Sequence, residues 1–334
     1  SKEWIVRRGK HREEEFIGDV RYDSAGTRLS ADWALFRHGP DDWQARGRIA
    51  ARRELPSGDV FQAFGEKAYD DEKSMRGWLE PAPGGLVEVL RAPALGGPPD
   101  RAEGDRLTWS DERAGVLTGR ARGWGPRGEF WAGAARYDLL RPGRSLTLTG
   151  GRPVLHNLAG GVDAALKADR IMVEDDPRRA VVTGRAVGWV LALSSTTPAS
   201  GPEAERCGQE GRSEGPGPDE KVAALLAPLP AEDASAGESR FWRAEAAAFA
   251  DRACPWGARY NFWADEADYE SLPDRRVTLT GGRPVLRKIE ADSSLALKAD
   301  RIVAVASTRR LEAEGGVRGW MTFQNEAKYT EKPR

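Results

Sequence analysis

An internal repeat constrains this chain more than any other feature. Leu146 to Leu155 reads LTLTGGRPVL and Val277 to Leu286 reads VTLTGGRPVL, so nine of ten positions agree across a displacement of 131 residues. The same displacement carries ALKADRI from Ala165 onto ALKADRI from Ala296, and Gly188-Trp189 onto Gly319-Trp320. Chance does not place three matches in one register, and a fixed period marks a fold built by stacking one supersecondary unit on the next. A shorter unit is nested inside: Asp, Arg, Leu or Ile, eleven or twelve residues, Gly, three residues, Gly-Trp. Asp105-Arg106-Leu107 with Gly119, Gly123 and Trp124 is one copy. Asp169-Arg170-Ile171 with Gly184, Gly188 and Trp189 is the next, and Asp300-Arg301-Ile302 with Gly315, Gly319 and Trp320 the third. A degenerate copy runs from Asp59 to Gly77-Trp78. Phe130-Trp131 with Tyr137, and Phe262-Trp263 with Tyr269, lead into the two LTLTGGRPVL segments.

Inside the repeat the periodicity is that of strands. Leu146 and Leu148 alternate with Ser145, Thr147 and Thr149, and Val277 and Leu279 alternate with Thr278 and Thr280, as half-buried strands require. In the last copy Leu311, Ala313, Val317, Met321 and Phe323 share one parity, while Glu312, Glu314 and Arg318 share the other. Gly, at 38 of 334 residues, exceeds the typical share of about 7%, which favours turn-rich β structure over a helical bundle. The pairs Gly150-Gly151 and Gly281-Gly282, each followed by Arg-Pro, should end one strand and start another. Turns are expected at Arg141-Pro142-Gly143, Asp175-Asp176-Pro177 and Pro273-Asp274. The Ala-Asp-Arg-Ile steps break strict alternation and mark a bulge or a bend between sheets. Residues 191–239 interrupt the pattern with a polar, Gly-, Pro- and Ser-rich stretch whose composition cannot repay ordering entropy. Lys221 to Leu229 reads as a short helix, and Glu245 to Arg252 more as strand than helix.

The chemistry of the chain is sparse. With 51 Lys and Arg against 52 Asp and Glu, the net charge is −1, which carries no nucleic-acid footprint. Three His and two Cys argue against a zinc or iron centre built from those ligands. Cys207 and Cys254 leave open both their pairing and the compartment. No phosphate-loop, nucleophile-elbow, HExxH or CxxC motif occurs. No apolar run approaches the length that crosses a bilayer as a helix. His11, His38 and His156 stand near no nucleophile motif. The acids Asp265, Glu266 and Asp268 could serve a glycosidase, but the same pattern describes an exposed strand face. The Asp-Arg steps at 169–170 and 300–301 are able to hold lipid phosphates, though pairing within the step is the plainer expectation.

The cadence of LKADRI, charged turn, apolar strand and G-x-x-x-GW, followed by FWA, Tyr and LTLTGGRPVL, resembles the OstA-like repeats of lipopolysaccharide-transport proteins. That family includes the periplasmic bridge LptA, the membrane-tethered LptC and the N-terminal domain of the outer-membrane translocon LptD. The likeness is best over Gly104 to Val190 and Phe241 to Phe323, and weaker over Gly18 to Phe36. It implies an all-β fold, an OstA-like β-jellyroll of twisted, groove-forming antiparallel sheets built from tandem repeats. Four regions follow: a degenerate repeat region at 1–103, jellyroll repeats at 104–190, the polar insertion at 191–239 and C-terminal repeats at 240–334.

It also implies a periplasmic bridge that carries lipopolysaccharide, or a related glycolipid, with acyl chains in an apolar groove open along one side. Leu146, Leu148, Val182, Leu279, Leu297, Val317 and Met321 are the expected groove lining. Trp124, Trp189 and Trp320 are expected at the groove mouth or, more simply, as anchors of the repeat. No catalytic residue, metal or cofactor is expected, and like-folded partners, LptC-like or LptD-like, would join end to end by strand addition, with a homo-oligomer left open beside them. A leader or membrane anchor upstream of Ser1 is an open expectation; an anchor would favour the LptC-like role and a cleaved signal the LptA-like one. The competing readings are a structural or adaptor β-repeat with a filled core and, further off, a glycan-processing enzyme.

Overall fold

The computed structural model describes residues 1–9, 12–24, 27–55, 57–110, 114–126, 128–138, 145–157, 162–175, 178–193, 257–270, 275–289, 293–305, 308 and 310–323. The chain is all-β: the described residues hold 23 strands and no helix. The expected turns, the helix at 221–229 and the strand at 245–252 lie outside the described residues. The chain divides into two compact units, residues 1–153 with 169–180, and residues 154–168 with 181–334.

The first unit opens with β1 (Glu3–Arg8), β2 (Arg12–Ser24), β3 (Thr27–Arg37), β4 (Asp42–Glu54) and β5 (Val60–Asp71) as successive antiparallel neighbours. Then follow β6 (Arg76–Glu80), β7 (Val87–Ala92), β8 (Asp100–Gly104), β9 (Arg106–Ser110), β10 (Ala114–Gly125), β11 (Gly128–Asp138) and β12 (Ser145–Thr149). Next in the chain are β13 (Val154–Asn157), β14 (Val162–Lys167), β15 (Arg170–Asp175) and β16 (Arg178–Leu193). The remainder comprises β17 (Gly257–Glu270), β18 (Arg276–Thr280), β19 (Val285–Ile289), β20 (Ser293–Lys298), β21 (Arg301–Val305), β22 (Arg310–Glu314) and β23 (Arg318–Phe323).

The long strands of the first unit cross a line of bulges. Between β2 and β3, Ile17 faces Trp33 and Val20 faces Ala31, which sets Gly18 and Asp19 against Asp32 alone. Gly47 and Arg48 similarly oppose Glu66, and Gly119 and Arg120 oppose Gly133. Both residues of each bulge are left-handed, with φ of 77° and 46° at Gly47-Arg48 and 67° and 44° at Gly119-Arg120. Glycine is needed at the first position because a Cβ there would strike Asp32 or Asp105 on the adjoining strand. That aspartate then pairs with the arginine that follows, Asp32 with Arg48 at 3.0 Å and Asp105 with Arg120 at 2.8 Å.

This accounts for the spacing of the short repeat. The Asp that opens a copy lies beside the Gly that closes it: the amide of Asp105 donates to the carbonyl of Gly119, and that of Asp300 to Gly315, each at 2.9 Å. The chain bends at the aspartate, and the bulge itself is carried by the neighbouring strand. Bulges bend a strand and raise its twist, so the line divides the sheet into two legs. On β5, residues 67–71 pair with β6 and 60–64 with β7; on β10, 114–118 pair with β9 and 122–124 with β8. In the second unit β17 divides in the same way between β18 and β19.

The long repeat is conserved in the ladders. Leu148 faces Ile171 and, 131 residues later, Leu279 faces Ile302. Val154 faces Lys167 as Val285 faces Lys298, and Ala165 faces Trp189 as Ala296 faces Trp320. Tyr137 faces Leu146 and Tyr269 faces Val277, a displacement of 132 on one strand and 131 on the other. The one-residue difference falls in the connection before the LTLT strand, which leaves the pairing intact. As expected, LTLT ends at the Gly-Gly pair, and Pro153 and Pro284 immediately precede the next strand.

Candidate functional site

In the first unit one face of the sheet is the inside of the bend. The Leu79 side chain lies where a Cβ on Gly65 would point, and Leu117 does the same over Gly104, so residues on one side of the bulge line fold over backbone on the other. The ring of Phe61, beyond the line, stands 5.8 Å from that of Tyr137, so this face is shared by both legs. We call the leg of β6, β9 and β12 leg one and that of β7 and β8 leg two.

Leg one carries two rows of directly opposed residues on the inner face. Nearest the bend the row runs Leu79, Leu107, Leu117, Ala135, Leu148 and Ile171. It continues toward the N-terminus through Ala68, Ala45, Ala34 and Phe16 to Trp4 on β1. This base row is sealed at Leu79 and toward its Ile171 end: Leu148 and Ile171 are 0% exposed and Leu79 2%. Two residues further from the bend lies a mouth row of Phe36, Trp43, Trp109, Tyr137 and Leu146, all half-buried. At the β1 edge the same face turns outward to solvent, with Trp4 58% and Val6 37% exposed, and Tyr22 of β2, beyond the bulge, 49% exposed. Trp4 is stacked on Phe16 at 6.3 Å and its indole N–H donates to Glu14.

Leu146 and Leu148 fall on this face by their ladder parity, Leu279, Leu297 and Met321 hold strand positions within the second unit, and the seven expected lining residues differ in depth. Leu148 at 0%, Leu279 at 1% and Val182 at 2% are buried by the chain's own side chains. They sit at the base of the bend and do not border an open channel. Leu146 and Leu297 are half-buried, and Leu297 lies over Gly319. Val317 and Met321, near or on the last described strand, are 50% and 54% exposed.

Trp124 and Trp189 of the Gly-Trp steps point, each within its own unit, to the face opposite that of the glycine before it. Trp189 is 4% exposed and packs with Ala165, Val187 and Trp263, with the His156 ring 6.0 Å away. Trp124 is half-buried, with the Arg122 guanidinium 5.2 Å above it and 5.6 Å from Trp131. Both anchor the repeat. Trp320 keeps the same ladder position opposite Ala296; its side chain lies outside the described residues. The glycine of each step faces inward under a neighbouring side chain: Trp109 on Gly77, Phe130 on Gly123, Phe262 on Gly188 and Leu297 on Gly319. A ring laid over a strand glycine restores the packing the missing side chain forfeits. Sequence alone offered no route to Trp4, Phe36, Trp43, Trp109 or Phe61 as lining, because their shared face depends on which strands pair.

The polar groups are mostly engaged in structure. Arg48, hydrogen-bonded to Asp32, holds that carboxyl below the usual carboxylate range, and His38, bonded to Glu14, does the same there. Burial, with the Asp42 charge beside it, pushes the Tyr69 hydroxyl up. Asp42 itself takes two hydrogen bonds from Arg37 at 2.7 and 2.6 Å. Asp265 seats against Gly281 and Gly282, whereas Glu266 and Asp268 alternate with the inward Ala267. Among the described residues no group of His, Cys, Asp or Glu is placed to hold a metal ion, and no helix is long and apolar enough to cross a membrane. No family model matches the sequence, and no curated protein matches it.

Proposed function

We propose that the inner face holds the acyl chains of lipopolysaccharide or a related glycolipid, and that the protein is a periplasmic bridge carrying this lipid toward the outer membrane. The observation that supports this reading is the apolar row crossing eleven strands of one unit, ending in large exposed apolar side chains at its β1 edge. An isolated domain has little reason to leave Trp4 and Val6 in water, whereas a face that continues into a like-folded neighbour, LptC-like or LptD-like, does. Each acyl methylene removed from water would contribute about 0.8 kcal/mol. Carriage of this kind breaks no bond and needs no cofactor; the sugars and phosphates stay in solvent beyond the mouth row.

The experiment is photo-crosslinking in cells with a probe at Leu146, Trp43 or Phe36. Lipopolysaccharide adducts at the mouth row are expected; their absence from all three positions would overturn the reading. One observation favours the competing structural repeat, namely the full burial of Leu148 and Leu279. That repeat would give no adduct at any inward position.

A further inference from the structure

We propose that Tyr137 is the pin of a latch that closes the mouth between the two legs of the first unit, and that the latch parts when lipid enters. The inference rests on the lipid reading above for its ligand and on separate geometry for its mechanism. Tyr137 belongs to the mouth row of leg one, on β11, while the groups that grip it belong to leg two. Phe61 of β5 packs against its ring at 5.8 Å, and the Arg91 guanidinium of β7 stands 5.8 Å from the ring centroid. Arg91 is itself fixed, donating to Asp59 at 3.3 Å and to Asp100 at 3.4 Å, with its side chain only 13% exposed. Asp59 is buried, 3% exposed, and also accepts the Ala94 amide, which ties the end of β7 to the start of β5.

The grip is therefore rigid on leg two and rests on a single aromatic ring from leg one. A cation over an aromatic face and a ring pair are each modest attractions, whereas the ion pairs behind Arg91 stay within leg two whether or not the legs touch. Parting the legs at the mouth breaks the contacts of Phe61 and Arg91 to Tyr137, while Leu79 over Gly65 and Leu117 over Gly104 stay beside the bend. An acyl chain entering the mouth row between Tyr137 and Leu146 must part this closure or come from the β1 edge, and only passage through the closure moves leg two from leg one. The second unit repeats the tyrosine as Tyr269 opposite Val277.

The test is a distance between spin labels on outward residues of the two legs, Arg101→Cys on β8 and Arg136→Cys on β11, in a full-length chain with Cys207 and Cys254 changed to Ser. The free protein should give one narrow separation, and deep-rough lipopolysaccharide a longer one. Tyr137→Ala should give the longer, broader separation without lipid, and Tyr137→Phe, which keeps the ring, the native one. Asp100→Asn, a milder change, should give a partial shift while circular dichroism reports unchanged strand content. A native separation in Tyr137→Ala overturns the latch. So does crosslinking of lipid at Leu146 with no change in separation, an outcome that leaves the lipid reading standing. If no lipid is captured at Leu146, Trp43 or Phe36, the lipid reading falls, and Tyr137→Ala alone decides whether the latch exists.

Discussion

The base row and the mouth row lie two residues apart on the same strands, yet they do different work. Leu148 and Leu146 share a face, a composition and a ladder, and differ in distance from the bulge line. Leu148, nearer the line, is 0% exposed, while Leu146, two residues further out, remains half-buried. The first is a structural residue whatever the protein carries; the second is where a ligand could compete with solvent. Depth in the bend, and not hydrophobicity, separates packing from function here.

The strongest way to break this comparison is a charge. Leu148→Glu buries a carboxylate with no partner, an effect in the class that exceeds about 4 kcal/mol, and should abolish cooperative folding; Leu279→Glu should act likewise in the second unit. Leu146→Glu should fold and lose lipid capture instead. A folded, stable Leu148→Glu protein, by chemical denaturation, would show that the base row is not sealed. Truncation sharpens the same contrast: Leu148→Ala should cost about 2–5 kcal/mol, and Leu146→Ala only about 1 kcal/mol, in proportion to the smaller area it hides. Equal costs in urea titrations would erase the distinction between the rows.

Between those two truncations should fall Gly123→Ala, whose added methyl meets the Phe130 ring. Displacing that ring is an overpacking cost of about 1–3 kcal/mol, recoverable by the second-site change Phe130→Leu. The gentlest effect is acid. Glu14, Glu15 and Asp32 all have carboxyls held below the ordinary range, by His38, Trp33 and Arg48 first of all. A depressed native value contributes stability that is present above the unfolded pKa and lost as the pH falls through the folded one. Hydrogen exchange should therefore show β1–β3 loosening first as the pH drops below about 4, while the β12–β15 ladder holds. Uniform loosening of both regions would count against the assignment.

Much of the fold was legible because the repeat is written in strand chemistry. The alternation in LTLT gave the strands and their buried parity, Gly-Gly-Arg-Pro gave the strand ends, and matching displacements foretold matching registers. The bend at Ala-Asp-Arg-Ile was readable too: Asp300 falls between β20 and β21 with its amide on Gly315, and at the matching Asp105 the bulge sits on the adjoining strand at Gly119. The site was less legible. The parity of Leu146, Leu148 and Leu279 could be read, but the sealing of Leu148, Val182 and Leu279 could not. The inward turn of Trp109 and Phe130 over the repeat glycines was equally hidden, since it is a property of the adjoining strand. The N-terminal lining was fainter still: Phe36 closes the weakest stretch of likeness to the repeat, and Trp4 and Trp43 fall in no copy quoted above.

The sequence by itself determined that this chain is β, where its strands end, and which residues share a face, because those properties depend on dihedral preference and a period of two. Only the tertiary structure decided which inward residues are sealed and which meet solvent. That outcome depends on the bulge line that bends the sheet, and so on the distance of each residue from a corner made jointly by an aspartate on one strand and a glycine on the next.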